Sequence, residues 1–453
     1  MNIIVVGIGK VGYTVAEQLS SEMHDVTVID LDGKVVEDTM NDLDVQGICG
    51  NGASRVILDE AGIEDCDLLI ALTGSDETNL LCCLLARKLG ANGTIARVRT
   101  PEYNEDIRLI KDSLGLTMAV NPEKEAADEI FRILRFPSAR NIDSFAKGKI
   151  DLVSFSVKKD CTLCGRSLKD SFAKSRARAL ICAVERGKHV FIPNGDTIVQ
   201  ENDILAILAA PEEISAFFRE INHGHSSEID SVMIIGGGRL GHYLAKELVR
   251  HKIKTTIIEQ KQDVAENLSF LMPSANVVCG DGTNRTLLIE EGLTDVDAVC
   301  SLTGIDEENI LLSLYAKSAS PEAKTVTKIN RIAFQEVIRS LDLDSVIYPK
   351  YITANMILQH VRARKNNIGN NLETLYKIID NKVEALEFAV SENDSIIDKK
   401  LEDLTLRDNV IVGCINRNGM VFIPHGKDSI KAGDTVIIVT TIQGINDLDD
   451  IKG

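Results

Sequence analysis

An apolar run, Asn2-Ile3-Ile4-Val5-Val6, ends in Gly7-x-Gly9-x-x-Gly12, and a helical pattern with Val15, Ala16 and Leu19 on one face follows at once. No other stretch restricts the fold so tightly. In this order the first glycine allows a tight turn, the second lets backbone approach a pyrophosphate, and the third lets the helix pack closely on the strand. The helix N-terminus then offers free N–H groups and a positive dipole end to the anion. Taken alone, the glycine pattern is a weak signal. The next strand strengthens it: Asp25-Val26-Thr27-Val28-Ile29-Asp30 ends in an acid about 20 residues on, where a ribose hydroxyl is held in such sites. Together they predict a doubly wound parallel lobe with a nucleotide site at its first turn.

Strand and helix patterns go on alternating. A helix is expected over 33–41, a third strand over 45–49, a helix near 55–61, a fourth strand over 67–72, a helix over 77–88 and a fifth strand over 94–98. This is the spacing of βαβ units, so the crevice should lie beyond the carboxyl ends of the strands. Those ends carry Gly7, Ile8, Gly9, Lys10, Val11, Gly12, Asp30, Asn51, Gly52, Thr73, Gly74 and Arg97. Asn121-Pro122-Glu123 then opens a helix to about Arg135, with Asn as cap and Pro in the first turn. From Ile150 the texture changes to alternating strands and a hairpin at Arg186-Gly187, a small α+β module of about 70 residues.

The whole arrangement then recurs. Gly236-Gly237-Gly238-Arg239-Leu240-Gly241 follows Gly7–Gly12 by 229 residues, and Glu259 follows Asp30 by the same interval. Further on, Gly280-Asp281-Gly282 answers Gly50-Asn51-Gly52, and Thr303-Gly304 answers Thr73-Gly74. In the small modules Phe422-Ile423-Pro424-His425-Gly426 answers Phe191-Ile192-Pro193-Asn194-Gly195, and Asn418-Gly419 marks the second hairpin. The expected architecture is α/β: two Rossmann-like doubly wound parallel-sheet lobes (1–137 and 230–364), each followed by a small α+β module (150–221 and 372–453). Linkers are expected near 138–149, 222–229 and 364–371.

Composition bounds the function. A formal net charge of −18 argues against a nucleic-acid partner, which calls for clustered Lys and Arg. Aromatics are 4% and Trp is absent, so the cores must be aliphatic. No apolar run approaches the roughly 18 residues that span a bilayer, and no signal-peptide pattern opens the chain. Ten cysteines, among them Cys49, Cys66, Cys82, Cys279 and Cys300, lie in predicted strands and helices, which suits buried free thiols in a reducing cytoplasm.

With VVGIGKVG, VTVID, GNGA and LTGSDETN in the first half, IIGGGRLG, GDGT and LTGIDEEN in the second, and lobe and module alternating, the chain resembles the TrkA family over essentially its full length. These are peripheral cytoplasmic subunits of Trk potassium-uptake systems, built from tandem RCK (KTN) domains. The resemblance implies that the first-lobe residues above line a nucleotide pocket. It implies the same in the second lobe for Gly236, Gly237, Gly238, Arg239, Leu240, Gly241, Glu259, Asp281, Gly282, Thr303, Gly304 and Lys328. It also implies a regulatory homo-oligomer, a tetramer grouping about eight lobes, placed on the inner face of the cell membrane against a TrkH-like potassium-translocating subunit. The ligands implied are NAD or NADH, with ATP or ADP as alternatives and cyclic di-AMP in the small modules of some relatives. No catalytic residue and no metal ligand is expected.

Rival readings stand beside these. A dehydrogenase would need a proton-transfer residue over the nicotinamide, and the small modules offer none. Asp30 and Glu259 favour a free 2′-hydroxyl over a 2′-phosphate but do not separate NAD from ATP or ADP. Cys161-x-x-Cys164 reads as a redox pair, half a zinc site or incidental cysteines, the last being favoured because the second module has Asp394 and Ile397 there. Helices at 122–135 (Ala126, Ile130, Ile133, Leu134) and 349–362 (Ile352, Met356, Ile357, Val361) carry apolar stripes with no following strand to cover. They pack on their own lobe or, as the resemblance implies, cross to a neighbour.

Overall fold

A computed structural model describes the chain except residues 137–138, 146–148, 160, 173–174, 176, 188, 222–228, 332–337, 339–340, 342, 367–371, 379–381, 393, 443–444 and 446. The first lobe runs β1 (Asn2–Val6), α1 (Lys10–Ser21), β2 (Asp25–Asp30), α2 (Gly33–Asp42), β3 (Gln46–Cys49), α3 (Arg55–Glu60), β4 (Leu68–Ala71), α4 (Asp76–Leu89) and β5 (Thr94–Arg97). All lie within two residues of the sequence expectation. Two short helices, α5 (Pro101–Glu105) and α6 (Ile107–Leu114), and a sixth strand, β6 (Met118–Val120), were not foreseen. A three-residue strand has no periodicity to read.

The sheet order is β3-β2-β1-β4-β5-β6, every pair parallel. Such a sheet is covered on both faces, so Ile3, Ile4, Val5 and Val6 are all buried rather than alternating. The order reverses direction between β1 and β4, and that switch point opens a crevice at the strands' carboxyl ends. Helix α4, which faces it, is closed at both ends. The Ser75 hydroxyl accepts the Thr78 N–H at 3.1 Å, and Gly90 ends the helix in the left-handed conformation.

After β6, α7 (Pro122–Arg135) leaves the first lobe. Its Ala126, Ala127, Ile130 and Leu134 pack into the core of the second lobe beside Leu244, Leu248 and Val232. The stripe on α7 is thus covered within the chain, and it supplies no argument for a ring of several chains. The small module follows: β7 (Ala139–Phe145), β8 (Ile150–Ser156), α8 (Leu168–Phe172), β9 (Ala179–Arg186), β10 (His189–Phe191), β11 (Ile204–Ala209) and α9 (Pro211–Ile221). The expected linker at 138–149 is largely strand β7, paired antiparallel with β8.

The second lobe repeats the first with β12 (Ser231–Ile235), α10 (Arg239–Arg250), β13 (Lys254–Glu259), α11 (Gln262–Leu271), β14 (Asn276–Cys279), α12 (Arg285–Glu290), β15 (Ala298–Ser301), α13 (Asp306–Ala319), β16 (Lys324–Lys328) and β17 (Ser345–Ile347). Its sheet, β14-β13-β12-β15-β16-β17, has the same order. Helix α14 (Pro349–Asn366) answers α7 and runs into the expected linker at 364–371, whose last five residues lie outside the described ones, as does nearly all of 222–229. At its start, Tyr351 feels the Glu17 carboxylate of α1, which lies in the first lobe.

The second module adds β18 (Leu372–Ile378), β19 (Val383–Ala389), β20 (Val410–Arg417), β21 (Met420–Phe422) and β22 (Thr435–Thr440). Asn418 and Gly419 both take positive φ, 52° and 81°, as a two-residue hairpin turn requires.

The chain divides into two compact units, Met1–Leu134 with Ile229–Leu358 and Arg135–Glu228 with Gln359–Gly453. Lobe pairs with lobe, and module with module. In the second unit the two sheets share an apolar core that includes Phe145, Leu152 and Leu208 from one and Ala385, Cys414 and Val439 from the other. No helix among the described residues is long and apolar enough to cross a membrane. All ten cysteines are free, but Cys49 and Cys279 are exposed, contrary to expectation, because each ends a strand at the sheet's edge.

Candidate functional site

The first-lobe crevice is a cavity of about 460 Å³ lined by Gly7, Gly9, Asp30, Asn51, Gly52, Thr73, Gly74 and Arg97, with Leu31, Ser75 and Thr78 among its other walls. Residues separated by up to 90 positions in sequence meet there because each ends a strand or begins a helix at the switch point.

The glycines have separate physical reasons. Gly7 has φ +90°, and a Cβ on it would sit 2.6 Å from the Thr73 nitrogen. A Cβ on Gly12 would collide with the Gly7 carbonyl, so α1 can lie against the turn only without a side chain there. Gly9 faces open space, with nothing within 4 Å of a built Cβ. Backbone at this position is therefore open to close approach by another group.

Asp30 holds the turn from the other side. One carboxylate oxygen accepts the Ile8 N–H at 2.6 Å and the other the Asp32 N–H at 3.0 Å. Asn51 closes its own loop by accepting the Ala53 N–H at 2.9 Å. The floor is organised by a side chain that sequence reasoning missed. Asn79, fully buried on α4, accepts from the Thr73 N–H at 2.7 Å and the Thr73 hydroxyl at 2.8 Å, and donates to the Arg97 carbonyl at 2.9 Å. A buried amide with its groups satisfied fixes both strand ends. The signal was present, since LTGSDETN and LTGIDEEN share that final Asn.

The second lobe repeats this. The Gly237 N–H donates to Glu259 at 2.8 Å, and the Lys261 N–H donates to its other oxygen at 2.8 Å. Asp281 accepts the Thr283 N–H and hydroxyl, which hold its carboxyl below the usual range. Asn309 accepts the Thr303 N–H at 2.8 Å and donates to the Lys328 carbonyl at 2.9 Å. Gly236 takes φ +109°, Gly238 faces open space, a Cβ on Gly282 would meet the Ile235 side chain, and Gly304 is open.

Lys10, Val11, Gly238, Arg239, Leu240, Gly241 and Lys328 do not face one pocket each. They line a second cavity, of about 490 Å³, where the two lobes meet, and Arg97 lines both cavities. Among the described residues, six cationic side chains (Lys10, Arg97, Arg99, Arg239, Lys328, Lys350) surround it, with Glu123 the one carboxylate in its lining. Arg99, Glu123, Asn330 and Lys350 were not expected here. Arg99 and Asn330 come from the loops after β5 and β16, and Glu123 and Lys350 from the first turns of α7 and α14, where no ligand motif marks them.

This concentration of positive charge in a chain of net charge −18 is under strain. Burial, and secondarily Arg99, push the Arg97 guanidinium down to about 10. Burial also lowers Lys328 and Lys350, with Lys10 adding repulsion to each. Arg97 donates to the Thr73 carbonyl and Arg99 to the Gly74 carbonyl at 2.6 Å, yet Nε of both arginines and Oε2 of Glu123 are buried without a hydrogen-bond partner, Arg99 Nε lying 3.9 Å from an Asp76 oxygen. Crowded, partly desolvated cations with unused donors are complementary to a polyanion such as a nucleotide's phosphates. Among the described residues no cluster could hold a metal ion.

The TrkA-N domain family matches residues 3–122 and 232–349, and the TrkA-C domain family matches 152–222 and 385–453. The Trk system potassium uptake protein TrkA homolog of Archaeoglobus fulgidus is 30% identical over 451 residues, covering 100% of both chains. Trk system potassium uptake protein TrkA of Halomonas elongata is 30% identical over 443 residues, 97% of this chain and 95% of that one. Neither is named for an enzymatic activity. Among solved structures, the GsuK channel bound to NAD matches at TM-score 0.64 and 19% identity, over 97% of this chain and 76% of that chain, which shows the fold. With two domain families each matched twice in alternation, and a relative aligned end to end, this chain belongs to the TrkA family.

Proposed function

We propose that the chain is a non-enzymatic regulatory subunit of a potassium-uptake system, working from the cytoplasmic face of the membrane against a TrkH-like translocating subunit. It binds adenine nucleotides, NAD(H) or ATP and ADP, in both parallel-sheet lobes. Asp30 and Glu259 hold the ribose, and the phosphates run over the glycine turns into the shared cationic cavity. The residues proposed above as pocket linings carry this binding, and the lobe and module boundaries remain those of the sequence reading with the first module extended to include β7. The observation that carries the proposal is the cavity itself, because cations from both lobes converge where both glycine turns end.

A ligand whose phosphates reach cations of both lobes favours the lobe arrangement that brings them together. One that stops short does not, and the difference shifts the population by roughly 1–3 kcal/mol. Full chains group into a tetramer beneath the membrane subunit. The small-module unit offers a half-apolar cavity of about 1050 Å³ lined by Arg178, Asn194, Phe422 and His425, a fit for a cyclic dinucleotide such as cyclic di-AMP. The test is potassium flux in vesicles holding the membrane subunit of the same cell, with and without this chain and each nucleotide. Flux that changes with the nucleotide only when the chain is present supports the proposal; flux indifferent to both overturns it.

A further inference from the structure

One contact between the lobes has no counterpart at the equivalent place in the repeat. Tyr243 lies on α10, one turn after Arg239, and its ring is buried in the second-lobe core. Its hydroxyl reaches into the first lobe. There it accepts a hydrogen bond from the Asn121 side-chain amide at 3.0 Å and donates one to the Arg99 carbonyl at 3.3 Å. Asn121 is 3% exposed and Tyr243 7%, so the bond between their side chains is made away from water, and the one to the Arg99 carbonyl is partly buried.

Both partners are attached to the phosphate cavity. Arg99 lines it, its own N–H donates to Asp76 at 2.9 Å, and its guanidinium donates to the Gly74 carbonyl. Asn121 caps α7 by accepting the Lys124 N–H at 3.0 Å, and the next two residues, Pro122 and Glu123, are cavity wall. One hydroxyl therefore ties the helix that carries Arg239 to the backbone that carries Arg99 and Glu123. By the 229-residue offset, Thr14 stands in the first lobe where Tyr243 stands in the second. The Thr14 hydroxyl bonds back to the Lys10 carbonyl of its own helix at 3.0 Å and spans nothing.

We propose that Tyr243 is a positioning residue that sets the distance between the cations contributed by the two lobes, and so tunes affinity for nucleotides whose phosphate tail spans the cavity. This rests on the reading that phosphates occupy that cavity. A monophosphate held by one lobe does not need the spacing. A triphosphate that engages both lobes does.

The test uses the full chain and the Tyr243→Phe variant, which keeps the ring that fills the core, with a Thr14→Val control. Calorimetric titration with AMP and with ATP, magnesium held constant, reads the ratio of the two affinities. Tyr243→Phe should weaken ATP by about 3- to 10-fold, the scale of one neutral hydrogen bond, leave AMP within about twofold, and leave the ratio in Thr14→Val at the wild-type value. Equal weakening of AMP and ATP would make Tyr243 merely structural, and an unchanged ATP affinity would remove its role altogether. A wild-type chain that binds ATP no tighter than AMP would instead sink the cavity reading. An ATP preference present in the wild type and retained in Tyr243→Phe would sink the positioning role alone.

Discussion

The two parallel-sheet lobes reach one geometry with different residues. In the first, Ile8 follows the turn glycine and the strand-end acid is Asp30. In the second, Gly237 stands in place of Ile8 and the acid is the longer Glu259. A backbone N–H meets a carboxylate oxygen at 2.6 Å in one and 2.8 Å in the other. The second turn has no room for a side chain at that position. A Cβ on Gly237 would lie 3.1 Å from the Glu259 Cβ and 2.5 Å from a Leu268 methyl. The bond is shared by the lobes, while the residues that make it differ. Either residue alone would mislead a position-by-position comparison of the lobes.

The sharpest way to separate shared scaffold from lobe-specific chemistry starts at the glycines. Gly7→Ala forces a Cβ against the Thr73 backbone at a positive φ, so urea denaturation should show a loss of about 3 kcal/mol, combining backbone strain with overpacking. Gly9→Ala points into open space and should leave stability near the wild-type value while weakening nucleotide binding. Similar stability losses for both would mean that the turn tolerates or rejects side chains for some reason other than these contacts.

The buried cations come next. Arg97→Met and Lys328→Met keep the apolar stem and remove the charge. Each should weaken ATP by about 2 kcal/mol, the scale of a charged hydrogen bond. The unliganded chain should lose little stability, since burial already disfavours the charge at Arg97 and Lys328. A thermal melt showing large destabilisation without ligand would reassign them as structural. The smallest effect tests the room at the second turn. Gly237→Ala should cost about 1 kcal/mol in a denaturation experiment, because a Leu268 methyl can move. A loss as large as that of Gly7→Ala would mean that the Leu268 methyl is held in place.

Much of this was legible in the sequence because the constraints are local. A glycine at positive φ, an acid at a strand end and a helix capped by Asn121 each leave a residue type at a fixed spacing, and the duplication let every reading be checked against its repeat. What the sequence concealed depends on chain crossing. The stripe on α7 announced an unmatched apolar face, but nothing in it named the second lobe as its cover. The cationic cavity was invisible for the same reason. Lys10 and Arg239 were assigned to the glycine turns of two separate pockets, and Arg99 and Lys350 are ordinary surface residues until two lobes face one another. Strand β7 was read as linker because β-pairing to β8 is decided by a partner and not by its own pattern. Cys161 and Cys164 fall on a turn shared with Asp394 and Ile397, the i-to-i+3 backbone bond closing at 3.0 and 3.4 Å in the two modules, so that turn forms without thiols.

In the reading proposed above, each lobe holds one adenine nucleotide through its strand-end acid. Isothermal titration of the purified full chain with ADP and with NADH, repeated on Asp30→Ala and on Glu259→Ala, tests it directly. Two nucleotides should bind per chain, with each variant weakening one of them by about 1–3 kcal/mol and leaving the other intact. No binding to the wild-type chain, or binding that ignores both substitutions, would contradict it.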